Sequence, residues 1–193
     1  MPDAVDLDLY EVAYVCGGPA RVAMVALVGL CEDGHIKIAP ARHRVTVLHR
    51  DHRDSVQAAA LELIPDTGRL LGSVLAAVAE SEAVGEIAEG LRARGLLARS
   101  RRKGRWPSSQ RDQGRDMRRR LENASPPEPG DPRRVAVLGS PGIIDPALRR
   151  VFETPDPDLS TTPIRTGKVT DTNDGYRTPN RSHGYDGGTH TGW

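Results

Sequence analysis

Residues 10–27, YEVAYVCGGPARVAMVAL, set two glycines and a proline between two apolar runs, with an arginine just behind them. A glycine-rich turn ahead of a helix can cradle a phosphate on free backbone N–H groups. The same residues can also end one helix and begin the next. Nucleotide loops need the Gly-x-Gly-x-x-Gly or Gly-x4-Gly-Lys-Ser/Thr spacing, and neither is present. Gly17 and Gly18 instead supply the left-handed residue that closes a helix, and Pro19 has the backbone angle favoured at the first position of another. The stretch reads as two helices meeting at a corner. Arg21, beside the free N-terminus of the second, is the candidate anion contact. On this reading Gly18→Ala costs about 1 kcal/mol or more if the site needs a positive φ, whereas Arg21→Ala leaves stability nearly unchanged.

Upstream of the corner, Leu7, Leu9, Tyr10, Ala13 and Tyr14 recur at near-helical spacing behind Asp6 as N-cap. Downstream, Val22, Val25, Ala26, Leu27 and Leu30 are so densely apolar that residues 19–32 should form the central core helix. "HIKI" at 35–38 and "HRVTVLH" at 43–49 alternate with period two, which predicts a hairpin or wing. Helical spacing returns over 53–64, 70–79 and 81–94, the last ended by Gly95. "LCEDGHI" at 30–36 and "LRARGLL" at 91–97 pass from helix to strand in the same manner, a passage that occurs in winged helices. The expected fold is therefore mainly α (α+β): a small helical module over 1–98 with one β-hairpin, in two winged-helix-like halves, followed by a disordered tail.

Past the module, residues 99–134 read as a basic and Pro-rich linker, and 135–152, VAVLGSPGIIDPALRRVF, as a short apolar helix-like segment. Residues 153–193 have almost no aliphatics to offset their ordering entropy and are expected to be disordered. With 37% hydrophobic and 4% aromatic residues, a large single core is not expected, and a chain ending near Ser100 should keep its fold.

The formal net charge of +1 conceals a strong asymmetry. Residues 1–91 carry 14 Asp+Glu against 7 Lys+Arg, residues 92–120 carry 2 against 12, and residues 121–193 carry 10 against 8. A basic middle can fold back on an acidic head or engage an anionic partner. Cys16 and Cys31 match no metal spacing and no disulfide framework. A helix between them would hold them about 20 Å apart, too far for a bridge. Free, apolar-flanked thiols and the lack of a secretory signal point to the cytoplasm. The longest apolar run, Val22–Cys31, is shorter than the roughly 18 residues of a membrane span, so no transmembrane segment is expected.

Leu7, Asp8, Tyr10, Glu11, Ala13, Tyr14, Gly17, Gly18, Pro19 and Arg21, with Arg94, Gly95, Leu96 and Leu97, resemble the two motifs of an actinobacterial family of uncharacterised proteins. Its members look like Leu-Asp-x-Tyr-Glu-x-Ala-Tyr-x-x-Gly-Gly-Pro-x-Arg near the start and close on Arg-Gly-Leu-Leu. The resemblance covers roughly the first half of the chain and implies a domain boundary rather than an activity. Many relatives continue into membrane helices and a Gly/Cys-rich tail, which this chain lacks.

The histidine-rich stretch, with His35, His43, His49, His52, Asp51 and Asp54, is metal-like in composition. Arg42, Arg44, Arg50 and Arg53 interleave and would repel a cation, so no metal site is assigned. Ser55, Ser73 and Ser81 lack a nucleophile elbow, and the two thiols read as core fillers. No catalytic residue and no cofactor follow. Within 99–120, Arg101, Arg102, Lys103, Arg105, Trp106, Arg118, Arg119 and Arg120 are candidate nucleic-acid contacts, through counterion release and base stacking. The sequence thus points to a non-catalytic interaction or regulatory module with an unknown protein partner. The alternative is a DNA-binding protein of winged-helix type that uses the basic segment. Against that alternative, the would-be reading helix at 81–94 carries Glu82, Glu86 and Glu89.

Overall fold

The computed structural model describes residues 7–97, 108–124 and 127–157. Asp8, two residues later than expected, opens the first helix. Its carboxylate accepts the Glu11 N–H at 2.7 Å while the Glu11 side chain accepts the Asp8 N–H at 3.2 Å, a reciprocal capping box. The helix, α1, spans Leu9–Glu32 and is broken where the sequence places its corner, with Gly18 at φ 71 and ψ −166. That region is open essentially to glycine alone. A Cβ on Gly18 would meet nothing within 4 Å, so any cost of replacing it lies in the backbone. Gly18→Ala should lower stability by about 1–3 kcal/mol, read from the urea midpoint at unchanged m-value. A loss under about 0.5 kcal/mol would show that the corner tolerates an L-residue.

After the corner, Val22, Ala23, Ala26, Leu27 and Leu30 are buried and make α1 the axis of the core. By length and composition α1 could cross a membrane, because merging the two runs gives an 18-residue window of mean hydropathy 1.6. In the folded chain half of that window is buried by the protein's own elements.

The hairpin forms as read. β1 (Ile36–Ala39) pairs antiparallel with β2 (Arg44–Val47), with Ile36 opposite Val47 and Ile38 opposite Val45. The alternation places Ile36, Ile38 and Val45 inward, against the core. A two-residue strand, β3 (Arg69–Leu70), extends the sheet to the order β1-β2-β3. Three helices complete the first half: α2 (Ser55–Glu62), capped by Asp54, then α3 (Leu71–Ala79) and α4 (Glu82–Ala93). Val56, Ala60, Val74, Val78, Val84 and Leu91 face inward. The helix-to-strand passage at Leu30–Ile36 is realised. Its counterpart at Leu91–Leu97 ends in a turn and a bend after α4, with no strand through Leu97.

Beyond residue 100 the structure corrects the expected organisation. Part of the anticipated linker is a helix, α5 (Ser108–Asn123), which buries Met117 in the core and packs Leu121 against it. Gly114 lies against the Leu96 carbonyl so closely that a side chain there would collide with it. The apolar segment is no appendage. It forms α6 (Pro132–Leu138), a 3-10 turn (Ser140–Gly142) and α7 (Pro146–Glu153), and α6 packs on α1 more extensively than any other element does. Val135, Ala136, Ile143 and Val151 are core residues, each 5% exposed or less. The physical reason is the breadth of the apolar surface on α1. Buried residues surround its second half, and the elements before residue 98 cover only part of it. The described residues on both sides of residue 98 accordingly fall in one compact unit. Asp156 returns to accept the Gly72 N–H at 2.9 Å, capping α3, whose own N-cap residue Leu70 supplies no side-chain bond. The rest of the expected disordered tail lies outside the described residues.

Candidate functional site

The corner of α1 is the natural place to look for an anion, and the structure gives Arg21 another task. Its guanidinium runs between Gly17 and Gly139, where a Cβ on either glycine would lie 2.7 Å from an Arg21 atom. Its Nη1 donates to the carbonyl oxygens of Val137 at 2.9 Å and Ala136 at 3.3 Å. These belong to the last turn of α6, whose C-terminal carbonyls have no partner within the helix. Gly139 follows with φ 76 and ψ −142, conformationally a glycine position like Gly18. Arg21 is thus a side-chain cap for a helix about 115 residues away in sequence. It faces carbonyl oxygens, where the sequence suggested an anion. Burial lowers the guanidinium pKa, and the neighbouring Cys16 opposes that shift.

Other motif residues are committed in the same way. The hydroxyl of Tyr10 donates to Asp54 at 2.9 Å, and Asp54 also caps α2 by accepting the Gln57 N–H at 2.8 Å. Burial, and next the Asp54 carboxylate, push the Tyr10 phenol pKa far up. Arg94, at the end of α4, meets both carboxylate oxygens of Glu11 at 2.8 Å. That charge-assisted contact, made by Nη1 to both oxygens, joins the capping box of α1 to the close of α4.

The histidine stretch is dispersed. His43 is buried at the hairpin tip with φ 48, its Nδ1 3.5 Å from Asp156. His35 and His49 stand edge to face with ring centroids 6.4 Å apart, and His52 turns to the Arg50 carbonyl. Arg50 pairs with Asp66 and Arg53 with Asp33. Among the described residues no group of three or more His, Cys, Asp or Glu could hold a metal ion.

Cys16 and Cys31 are free thiols. Burial raises both pKa values, and for Cys16 the nearby Arg21 offsets part of the rise. A raised thiol pKa stabilises the fold at neutral pH, and that contribution is lost as pH climbs past the unfolded thiol value of about 8.5. Cys16 is 3% exposed and Cys31 is half-buried. A thiol reagent at pH 7.5 should therefore modify Cys31 first, with Cys16 reacting only on unfolding, as the Cys16→Ser and Cys31→Ser variants would assign. Equal rates would show that the first turn of the core opens freely.

The nucleic-acid candidates divide. Arg101, Arg102, Lys103, Arg105 and Trp106 lie outside the described residues. Arg118, Arg119 and Arg120 sit on α5 and are solvent-exposed, as is Arg115, while Met117 turns inward. Arg118 pairs with Glu122 at 2.6 Å, one turn on. On α4 the outward positions are Glu82, Glu86 and Glu89, of which Glu89 pairs with Arg92. Sequence reading missed the acidic surface formed where α2, α3 and α4 converge, because Glu62 and Glu80 are brought to Glu82 and Glu86 only by the packing of the three helices. No protein-family model, curated protein or solved structure matches the chain.

Proposed function

We propose that this chain is a cytoplasmic, non-catalytic interaction or regulatory module that engages a protein partner through its charged surfaces. One observation carries the reading: five polar residues of the two motifs, Asp8, Tyr10, Glu11, Arg21 and Arg94, are spent on the fold. Asp8 and Glu11 cap α1, Tyr10 holds Asp54, Arg94 holds Glu11, and Arg21 caps α6. A motif whose polar members serve structure calls for no substrate and no cofactor. The resemblance to the actinobacterial family fits this reading, since those same positions define its motif. Cross-linking in native-cell extract, with the full chain and charge-reversed α4 or α5 variants as baits, tests it. One reversal should remove specific partners, and an identical set from all baits would contradict it.

A second reading rests on the exposed arginines of α5. There the chain binds DNA, as a winged-helix relative or simply as a polycation. Four arginines on one exposed helix suit phosphate contacts. The acidic outer face of α4 disfavours a reading helix at that position. If α5 contacts phosphates, duplex binding should weaken with a log–log salt slope near −0.9 per phosphate neutralised. The variant Arg115→Gln/Arg119→Gln should then flatten that slope by about 2 in fluorescence anisotropy. Binding that discriminates between sequences would favour the winged-helix relative, and no binding would remove the second reading.

A further inference from the structure

We propose that the groove between α2, α3 and α4 is the docking site for a cationic amphipathic helix of a protein partner. The proposal rests on the interaction-module reading and names the chemistry of the partner. The groove has a volume of 750 Å³. Its floor is small and apolar: Ala59 and Leu63 from α2 and its end, Ala77 from α3 and Ala83 from α4, all half-buried. Its rim is Glu62, Glu80, Glu82 and Glu86, all exposed, and no Lys, Arg or His lines it.

Glu11, Glu89, Glu122, Asp33 and Asp66 each pair with an arginine. Among the described residues, none of the four rim glutamates belongs to an ion pair recorded in the structure. Across the turn that joins α3 to α4, a second groove of 550 Å³, floored by Tyr14, Val84 and Ala88, shares Glu80, Glu82 and Glu86. The carboxylates therefore crown a ridge with apolar ground on both sides.

Four like charges around one cleft raise the local concentration of cations and repel phosphates. A small cation would leave the apolar floor wet, and an uncharged helix would leave the carboxylates unmatched. A helix with apolar residues at i, i+3, i+4 and i+7 and Lys or Arg flanking them satisfies both, in the helix-in-groove mode. The small floor side chains allow close approach of its backbone.

The test uses the full chain, labelled with ¹⁵N, and two synthetic peptides in the same amphipathic register, one of Lys and Leu and one of Glu and Leu. The Lys/Leu peptide should bind saturably, with amide shifts concentrated on α2 and on the turn from α3 to α4. The Glu/Leu peptide should not bind. Glu62→Lys/Glu86→Lys, at exposed helical positions that leave the core untouched, should weaken binding about tenfold. Glu62→Gln/Glu86→Gln should give an intermediate loss. Saturable binding that maps to α5–α7, or that ignores the reversal, would overturn the groove and leave the interaction-module reading standing. Binding that emerges only when residues 98–107 are replaced by Gly and Ser would give the groove to the chain's own basic segment and overturn the proposal. Self-association abolished by the reversal in sedimentation would overturn it in favour of a second copy. No saturable binding of either peptide, with duplex DNA bound at α5, would overturn the groove and the protein-partner reading together.

Discussion

A chain cut after residue 100 is expected to lose its fold. The cut removes Met117, Val135, Ile143 and Val151 from the core and strips α6 from α1. Fully burying an aliphatic side chain is worth about 1.5–3 kcal/mol. Four such side chains therefore amount to roughly 6–12 kcal/mol, comparable with the entire stability of about 5–15 kcal/mol of an ordinary domain. The face of α1 that α6 covers would also be left in water. The shortened chain should show a collapsed proton spectrum without dispersed methyl signals, and a cut after residue 158 should keep the full pattern. A milder lesion in the same place, Ile143→Ala, should cost about 2–5 kcal/mol. Dispersion retained in the shortened chain would mean that the first half closes its own core.

The second large effect centres on Arg21. Arg21→Ala removes the donor that two carbonyls in the last turn of α6 share, and leaves a gap between Gly17 and Gly139. Losing a charged hydrogen-bond donor to half-buried acceptors costs about 1.5–3 kcal/mol, or roughly 3–12 °C in melting temperature for a chain of this size. Gly139→Ala should be at least as damaging, because a Cβ there lies 2.7 Å from the Arg21 guanidinium carbon and the φ of 76 is unsuited to alanine. The two costs should not add. Once Arg21 is alanine the collision is gone and only the backbone term of Gly139→Ala remains, so the double-mutant cycle should show coupling of about 1 kcal/mol or more. Additive effects would place the two residues in separate environments.

Which parts of this were legible in the sequence follows from the range of each signal. The helical spacing of Val56, Ala60, Val74, Val78, Val84 and Leu91 is local, and it located α2, α3 and α4 to within two residues. The alternation in "HIKI" and "HRVTVLH" located β1 and β2 for the same reason. Gly18 announced the corner because few residues adopt its backbone angles. β3 is two residues long and has no period to read. Among the described side chains of α5, Met117 and Leu121 turn toward the core amid arginines, too few apolar positions for a stripe, so charge concealed the helix. The segment 135–152 was visible as apolar, but nothing local says what an apolar segment packs against. Arg21 is the clearest case: its partners are carbonyls of α6, and no pattern near residue 21 refers to them.

The most direct test of the central claim, that the conspicuous corner residue serves the fold while recognition is left to the surface, is a thermal melt of the full chain and of Arg21→Ala, each with and without 50 mM phosphate. The account predicts that Arg21→Ala melts several degrees lower and that phosphate shifts both proteins equally. An Arg21→Ala protein that melts like the parent without phosphate, and fails to gain a stabilisation that phosphate gives the parent, would contradict it and make the corner an anion site.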